Sequence, residues 1–226
     1  MACSQNIPFF FKHPFSMLIA GPTTCGKSTF MKDLLSHPQF IKPQPKQILW
    51  CYGTDDNSDN LDQFKGIIQS SKLPIRFHKG IPDVNNITSD DHMFIVLDDL
   101  MQKAGKSNEI TKLFTLGMHH KNISVALIVQ NVFYQAAAMR NISLNCHYFV
   151  LFKNPRDGRQ IKYLSNQIFP NNPKYLTDAF QKATERPFGY LIIDLTQQTP
   201  DNLRVLTNLF PDQFCHFFIP LEGCAC

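Results

Sequence analysis

Gly21-Pro22-Thr23-Thr24-Cys25-Gly26-Lys27-Ser28 fits the pattern GxxxxGK[ST], and the residues on either side of it decide the fold. Before it, residues 15–20 form a short apolar run that reads as a buried strand. After it, Phe30, Met31, Leu34 and Leu35 recur at helical spacing within residues 29–35. A strand that turns through glycines into a helix points successive backbone N–H groups at phosphate oxygens, with the positive end of the helix behind them. The expectation is a nucleoside triphosphate cradled by Gly21, Pro22, Thr23, Thr24, Cys25, Gly26, Lys27, Ser28 and Thr29, with Lys27 reaching the β- and γ-phosphates and Ser28 ligating Mg²⁺.

At 226 residues and 43% hydrophobic content, the chain can bury a sizeable core within one α/β domain. We expect a leader over residues 1–14, the domain over 15–196, and a tail over 197–226 that is hard to place. A net charge of +4 permits a polyanionic partner without requiring one. The seven cysteines are scattered and include no CxxC pair, which argues against a disulfide framework or zinc finger and for a reducing, intracellular setting. No basic leader with a long apolar core is present, and no apolar run approaches 18 residues, so neither secretion nor a membrane partner is expected. The ending Cys224-Ala-Cys226 resembles a doubly prenylated tail, yet nothing else in the chain supports that reading.

Further strands are expected over 47–52, 75–78, 93–97, 123–129, 147–152 and 190–193. Helices are expected over 61–70, 108–118, 134–140, 158–168 and 173–184. Strands alternating with helices in this way argue a mostly parallel central sheet, joined by right-handed crossovers, with helices on both faces.

Residues 93–97 run apolar without interruption into Asp98-Asp99, as a parallel strand buried on both faces does where it emerges at its carboxyl end. Beside a phosphate loop, Asp98 is placed to hold Mg²⁺ through water and Asp99 to orient or deprotonate the attacking water. Gln130 ends the next strand, where a neutral amide can sense the γ-phosphate. Asp90-Asp91 precede the acidic strand and read as solvated loop acids. Residues 153–162 carry four basic side chains and either face phosphates or form a solvated loop. His119-His120 point apart on a helix and lack a spaced third ligand, so no metal is assigned to them. Phe9-Phe10-Phe11 reads as a packing or docking edge. A strand between the loop and the acidic strand in sequence fits the additional-strand class of phosphate-loop ATPases better than the nucleotide-kinase class. A kinase, or a slow nucleotide-gated interaction protein, are the competing readings.

The strings Leu113-Phe-Thr-Leu-Gly-Met-His-His-Lys-Asn-Ile-Ser-Val125, Gln130-Asn131, Ser143-Leu-Asn-Cys-His-Tyr-Phe-Val-Leu-Phe-Lys-Asn-Pro-Arg-Asp157 and Pro187-Phe-Gly-Tyr-Leu-Ile-Ile-Asp194 resemble viral DNA-packaging ATPases. The resemblance covers most of the chain and is closest to those of Polinton (Maverick) elements and related large DNA viruses, within the FtsK/HerA superfamily. It implies a RecA-like fold, ATP and Mg²⁺ as cofactors, a homo-oligomeric ring, taken as a hexamer, and double-stranded DNA and capsid or portal components as partners. It also implies action in the host nucleus or at a viral assembly site. Lys27 and Ser28 then match the Walker A pair, Asp98 and Asp99 the Walker B pair, and Gln130 the sensor. The family often places an arginine before the sensor strand to act on a neighbour's ATP. Here Lys121 stands near that place, and lysine lacks the bidentate fork, which leaves Arg140 or Arg156 as substitutes. Thr24 replaces a glycine common in the loop, which narrows its backbone freedom.

Overall fold

The computed structural model describes residues 2–3, 9–53, 57–87, 92–100, 108–114, 122–132, 137–211 and 215–220, with side chains left out at 2–3, 57–63, 84, 108, 137, 138 and 140. The described strands are β1 (Ala2–Cys3), β2 (Phe11–Lys12), β3 (Ser16–Ala20), β4 (Ile41–Lys42), β5 (Gln47–Tyr52), β6 (Ile75–Lys79), β7 (Met93–Asp98), β8 (Ile123–Val129), β9 (Tyr148–Phe152), β10 (Tyr190–Asp194), β11 (Val205–Thr207) and β12 (His216–Phe218). The described α-helices are α1 (Lys27–Ser36), α2 (Asn57–Ser70), α3 (Asn108–Lys112), α4 (Ala137–Leu144), α5 (Arg159–Ile168) and α6 (Pro173–Ala183).

The main sheet has the order β1-β12-β11-β10-β9-β3-β8-β7-β5-β6. From β9 to β6 all pairings are parallel, and from β9 out to β1 they are antiparallel. Every residue of β3, β8, β9 and β10 is buried, the condition of a strand covered on both faces, and their continuous apolar runs follow from it. Alternate residues feed two cores. Leu18, Leu97 and Leu127 face Ile110 of α3, Met139 and Ile142 of α4, Leu164 of α5 and Leu176 of α6. Met17, Ile19 and Phe94 face Phe30, Met31 and Leu34 of α1 and Ile67 of α2. Helices thus cover both faces of a mostly parallel sheet, as the alternation of segments requires.

Local chemistry sets several boundaries. Asn172 caps α6 by accepting a hydrogen bond from Tyr175 N–H at 3.3 Å, and Pro173 supplies the preset φ of the first helical residue. The helix expected over 134–140 is found at Ala137–Leu144, because Met139 and Ile142 seat on the sheet and carry the helix past Arg140. That expected over 61–70 starts earlier, at Asn57. Asp90-Asp91, residues 115–118 of the helix expected over 108–118, His119-His120, Lys121 and Cys224-Ala-Cys226 lie outside the described residues.

The flanking segments join the sheet. From the stretch read as a tail, β11 pairs with β10 and β12 with β11, and Leu206, Leu209, Phe210 and Phe217 are buried on the α1 face. From the stretch read as a leader, β1 pairs with β12, and Phe11 of β2 packs fully buried against Phe15 and Tyr148. The triple phenylalanine is therefore a packing edge, with Phe10 beneath the Lys42 ammonium at 4.7 Å.

Candidate active site

The parallel block aligns the carboxyl ends that the motifs occupy. Ala20 is in register with Val129 on one side and Leu151 on the other, while Asp98 is in register with Ile128 and with Tyr52. Gly21 N–H donates to Val129 O at 3.2 Å, so the phosphate loop leaves the sheet alongside the end of β8. Gln130 follows on β8, and Asp98 ends β7, two strand spacings or roughly 10 Å from the loop strand. The motifs share one rim of the sheet.

The loop's conformation follows from its composition. Gly26 has φ 110°, outside what an L side chain tolerates, and serves as the N-cap of α1. Gly21 is confined by space instead: a Cβ there would lie 2.6 Å from Cys25 Sγ and 2.7 Å from Phe152 Cβ. Thr24 sits at φ 63°, so the β-branched residue flagged from sequence adopts the left-handed conformation a glycine would take without strain. No side chain caps the start of α1, whose first N–H groups are the donors an anion would use. Lys27 Nζ donates to Gly21 O at 2.6 Å and Pro22 O at 2.7 Å, which holds the ammonium across the loop. Burial raises the Cys25 thiol above its ordinary range, against the pull of nearby Lys27, so it stays uncharged beside any phosphate.

Thr23, Thr24, Lys27, Ser28, Asp98, Asp99 and Gln130 line one cavity of about 240 Å³. Of the other expected loop residues, Pro22 contributes its carbonyl to Lys27, and Thr29 is exposed on the first turn of α1. Gly21 and Cys25 border neighbouring hollows. Asp99 has φ 51°, a conformation aspartate accepts more readily than most residues, and it turns the chain out of β7 at the cavity wall. Arg156 is exposed in the turn after β9 and does not line the cavity, and the side chain of Arg140 on α4 is not described.

The cavity also has a wall that the sequence reading missed. Tyr52 and Phe64 meet edge to face at 4.9 Å, Phe64 meets Phe77 at 4.3 Å, and Tyr52, Gly53 and Phe64 line the cavity together with the loop residues. Gly53 lets the chain pass close to β7, since a Cβ there would lie 2.8 Å from Asp99 O. The available signal was the aromatic-glycine pair at the end of β5, but only the pairing of β5 with β7 gives it meaning.

As a donor set, the Ser28 hydroxyl with the Asp98 carboxylate suits a hard divalent cation. Among the described residues no cluster of three His, Cys, Asp or Glu side chains could cage a metal alone. That pattern fits Mg²⁺, which keeps waters and shares its coordination with phosphate oxygens.

No family model matches the chain, and no curated protein matches it in sequence. Among solved structures, the chain is similar to B204, the DNA-packaging ATPase from Sulfolobus Turreted Icosahedral Virus, at TM-score 0.52 and 13% identity over 93% of this chain and 99% of that one. It is also similar to the genome packaging NTPase B204 from Sulfolobus turreted icosahedral virus 2 in complex with ATP-gammaS, at TM-score 0.49 and 15% identity over 82% and 95%. At such identities the likeness is one of architecture: the chain shares the mostly parallel α/β fold of the first of these structures.

Proposed function

We propose that the chain is an Mg²⁺-dependent ATPase that works as a ring-forming motor and moves double-stranded DNA into a capsid. The observation that carries the reading is the single cavity lined by Lys27, Ser28, Asp98, Asp99 and Gln130 at the carboxyl edge of the sheet. In this reading the loop N–H groups and Lys27 bind the β- and γ-phosphates, and Ser28 with Asp98 holds Mg²⁺, which neutralises phosphate charge when bound. Asp99 takes the proton of the attacking water, and Gln130 orients that water without competing for its proton. The neutral Cys25 thiol adds no repulsion.

Strand order favours this over a nucleotide kinase. β8, carrying Gln130, lies between the loop strand β3 and the acidic strand β7, the arrangement of the additional-strand ATPases to which the sequence pointed. The DNA-packaging part of the reading is supported by the resemblance of the strings quoted above to Polinton-type ATPases of the FtsK/HerA superfamily, and by the fold likeness to the protein described as a DNA-packaging ATPase. The hexameric ring, the capsid or portal partner, and the place of action in the host nucleus or at a viral assembly site are parts of the same proposal.

Turnover of ATP by the purified chain, measured with and without linear duplex DNA, tests it. A motor shows phosphate release that rises severalfold with duplex DNA. Hydrolysis that DNA leaves unchanged would favour a nucleotide-gated partner protein, and phosphoryl transfer to a small-molecule hydroxyl in place of water would return the kinase.

A further inference from the structure

Phe188 is the most exposed large apolar side chain among the described residues, at 70%, and it lies beside the phosphate loop: its Cβ and Cδ1 would be 3.5 Å from a Cβ on Gly26. Its φ of 62° is uncommon for a bulky residue and costs energy. A strained, solvent-facing phenyl ring adds nothing to the core. The turn presenting it is fixed by Thr184 Oγ1, which donates to Phe180 O at 2.8 Å, and by Gly189 N–H, which donates to Arg186 O at 3.1 Å.

Tyr190 of β10 is in register with Phe152 of antiparallel β9, so the turn before β10 returns to the rim where β9 and β3 end. It therefore flanks the loop on the side away from β8 and β7. There Cys25, Lys153, Glu185, Arg186 and Phe188 line a second hollow of about 290 Å³. The γ-phosphate must lie on the β8–β7 flank, with Ser28 and the carboxylates, for hydrolysis to occur there. A triphosphate held by the loop then directs its nucleoside over the opposite flank.

We propose that this second hollow is the nucleobase site, with the base stacked on Phe188 and its polar edge met by Glu185, Lys153 and Arg186. The proposal rests on the ATPase reading and assigns what the loop itself cannot discriminate, since phosphate contacts are the same for every nucleotide. An aromatic face supports any base, and the mixed acceptor and donor groups at its rim supply selectivity.

Titration calorimetry of the full chain with Mg-ATP and with Mg-tripolyphosphate tests it, because the two ligands share the phosphates and differ in the base. Phe188→Ala should weaken ATP about tenfold, the size of one base–aromatic stack, with tripolyphosphate unchanged and Phe188→Tyr close to wild type. Since the side chain is exposed, the melting temperature of Phe188→Ala should stay near wild type, which separates lost stacking from lost folding. Equal weakening of both ligands would make Phe188 a prop for Gly26 and overturn the proposal, as would ATP affinity that the substitution leaves intact. Wild-type protein that binds neither ligand would overturn the nucleotide reading itself and this proposal with it.

Discussion

Lys27 and Asp99 line the same cavity under different constraints, and their variants should fail differently. In the proposed reading Lys27 supplies charge to the bound phosphates, so Lys27→Ala should weaken ATP by about 100-fold or more, in line with the loss of one partner of a desolvated charge pair. In the proposed reading Asp99 acts on the water. Asp99→Asn keeps size and suits the left-handed backbone at φ 51°, where asparagine is at home, so ATP affinity should survive while turnover falls by about 10²–10⁴. Equilibrium binding of a fluorescent ATP analogue, run beside phosphate release, separates the two, and equal loss of binding in both variants would contradict the assignment. Thr24 shows the same scale from the side of cost. A β-branched residue at φ 63° stores strain of roughly 1–2 kcal/mol in the loop, held by neighbours that fix the turn.

At the scale of elements, the amino-terminal segment is clasped to the sheet by His13. Its Nδ1 and Ser124 Oγ are 2.5 Å apart, Ser124 Oγ accepts from Phe15 N–H at 3.0 Å, and the imidazole stacks on His92 at 5.4 Å. Burial, then the neighbouring His92, lowers the His13 pKa to about 4, against a small rise from the Asn122 backbone. In the unfolded chain His13 titrates near its ordinary 6.5. Between these values the unfolded chain binds a proton that the folded one refuses, so this contribution is complete above pH 6.5 and is lost as pH falls towards 4. The loss amounts to about 3 kcal/mol, or a fall of about 6–12 °C in melting temperature, and His13→Gln should flatten that part of the profile relative to wild type. Thermal melts at intervals from pH 7 to 4 measure it. The elements also differ in how far they could be read in advance. β3, β7 and β8 are buried on both faces, which forces continuous apolar runs, and the loop and carboxylates follow them in sequence. β11 and β12 are three residues each, too short to carry a period, and Phe210 and Phe217 become core only because β10 is already present to pair beside. Tyr52 and Gly53 enter the site through the β5–β7 pairing, and Phe64 of α2 through its contact with Tyr52, relations no local pattern encodes.

For the whole molecule, the proposed ring would let a neighbouring subunit add positive charge at the cavity. Among the described residues lining it, Lys27 is the one cation, and its Nζ is shared with two loop carbonyls. Charge that develops on the transferring phosphoryl group calls for a further cation, a role that arginine fingers fill at a gain of about 10³–10⁵ in rate. Arg156 is exposed in the turn after β9 and does not line the cavity, and in the proposed ring it is the arginine assigned to a neighbour's site. Arg156→Ala alone should therefore bind ATP normally and hydrolyse it poorly, and Lys27→Ala alone should do neither. Mixed, the two variants should regain hydrolysis, with a maximum near equal proportions, because an interface between an Arg156→Ala subunit and a Lys27→Ala subunit unites an intact loop with an intact arginine. Arg156→Lys should complement no better than alanine, since lysine lacks the planar fork that binds two phosphoryl oxygens at once. Recovery at no ratio, or full activity in Arg156→Ala by itself, would remove Arg156 from the role and turn the same mixing experiment to Arg140 on α4.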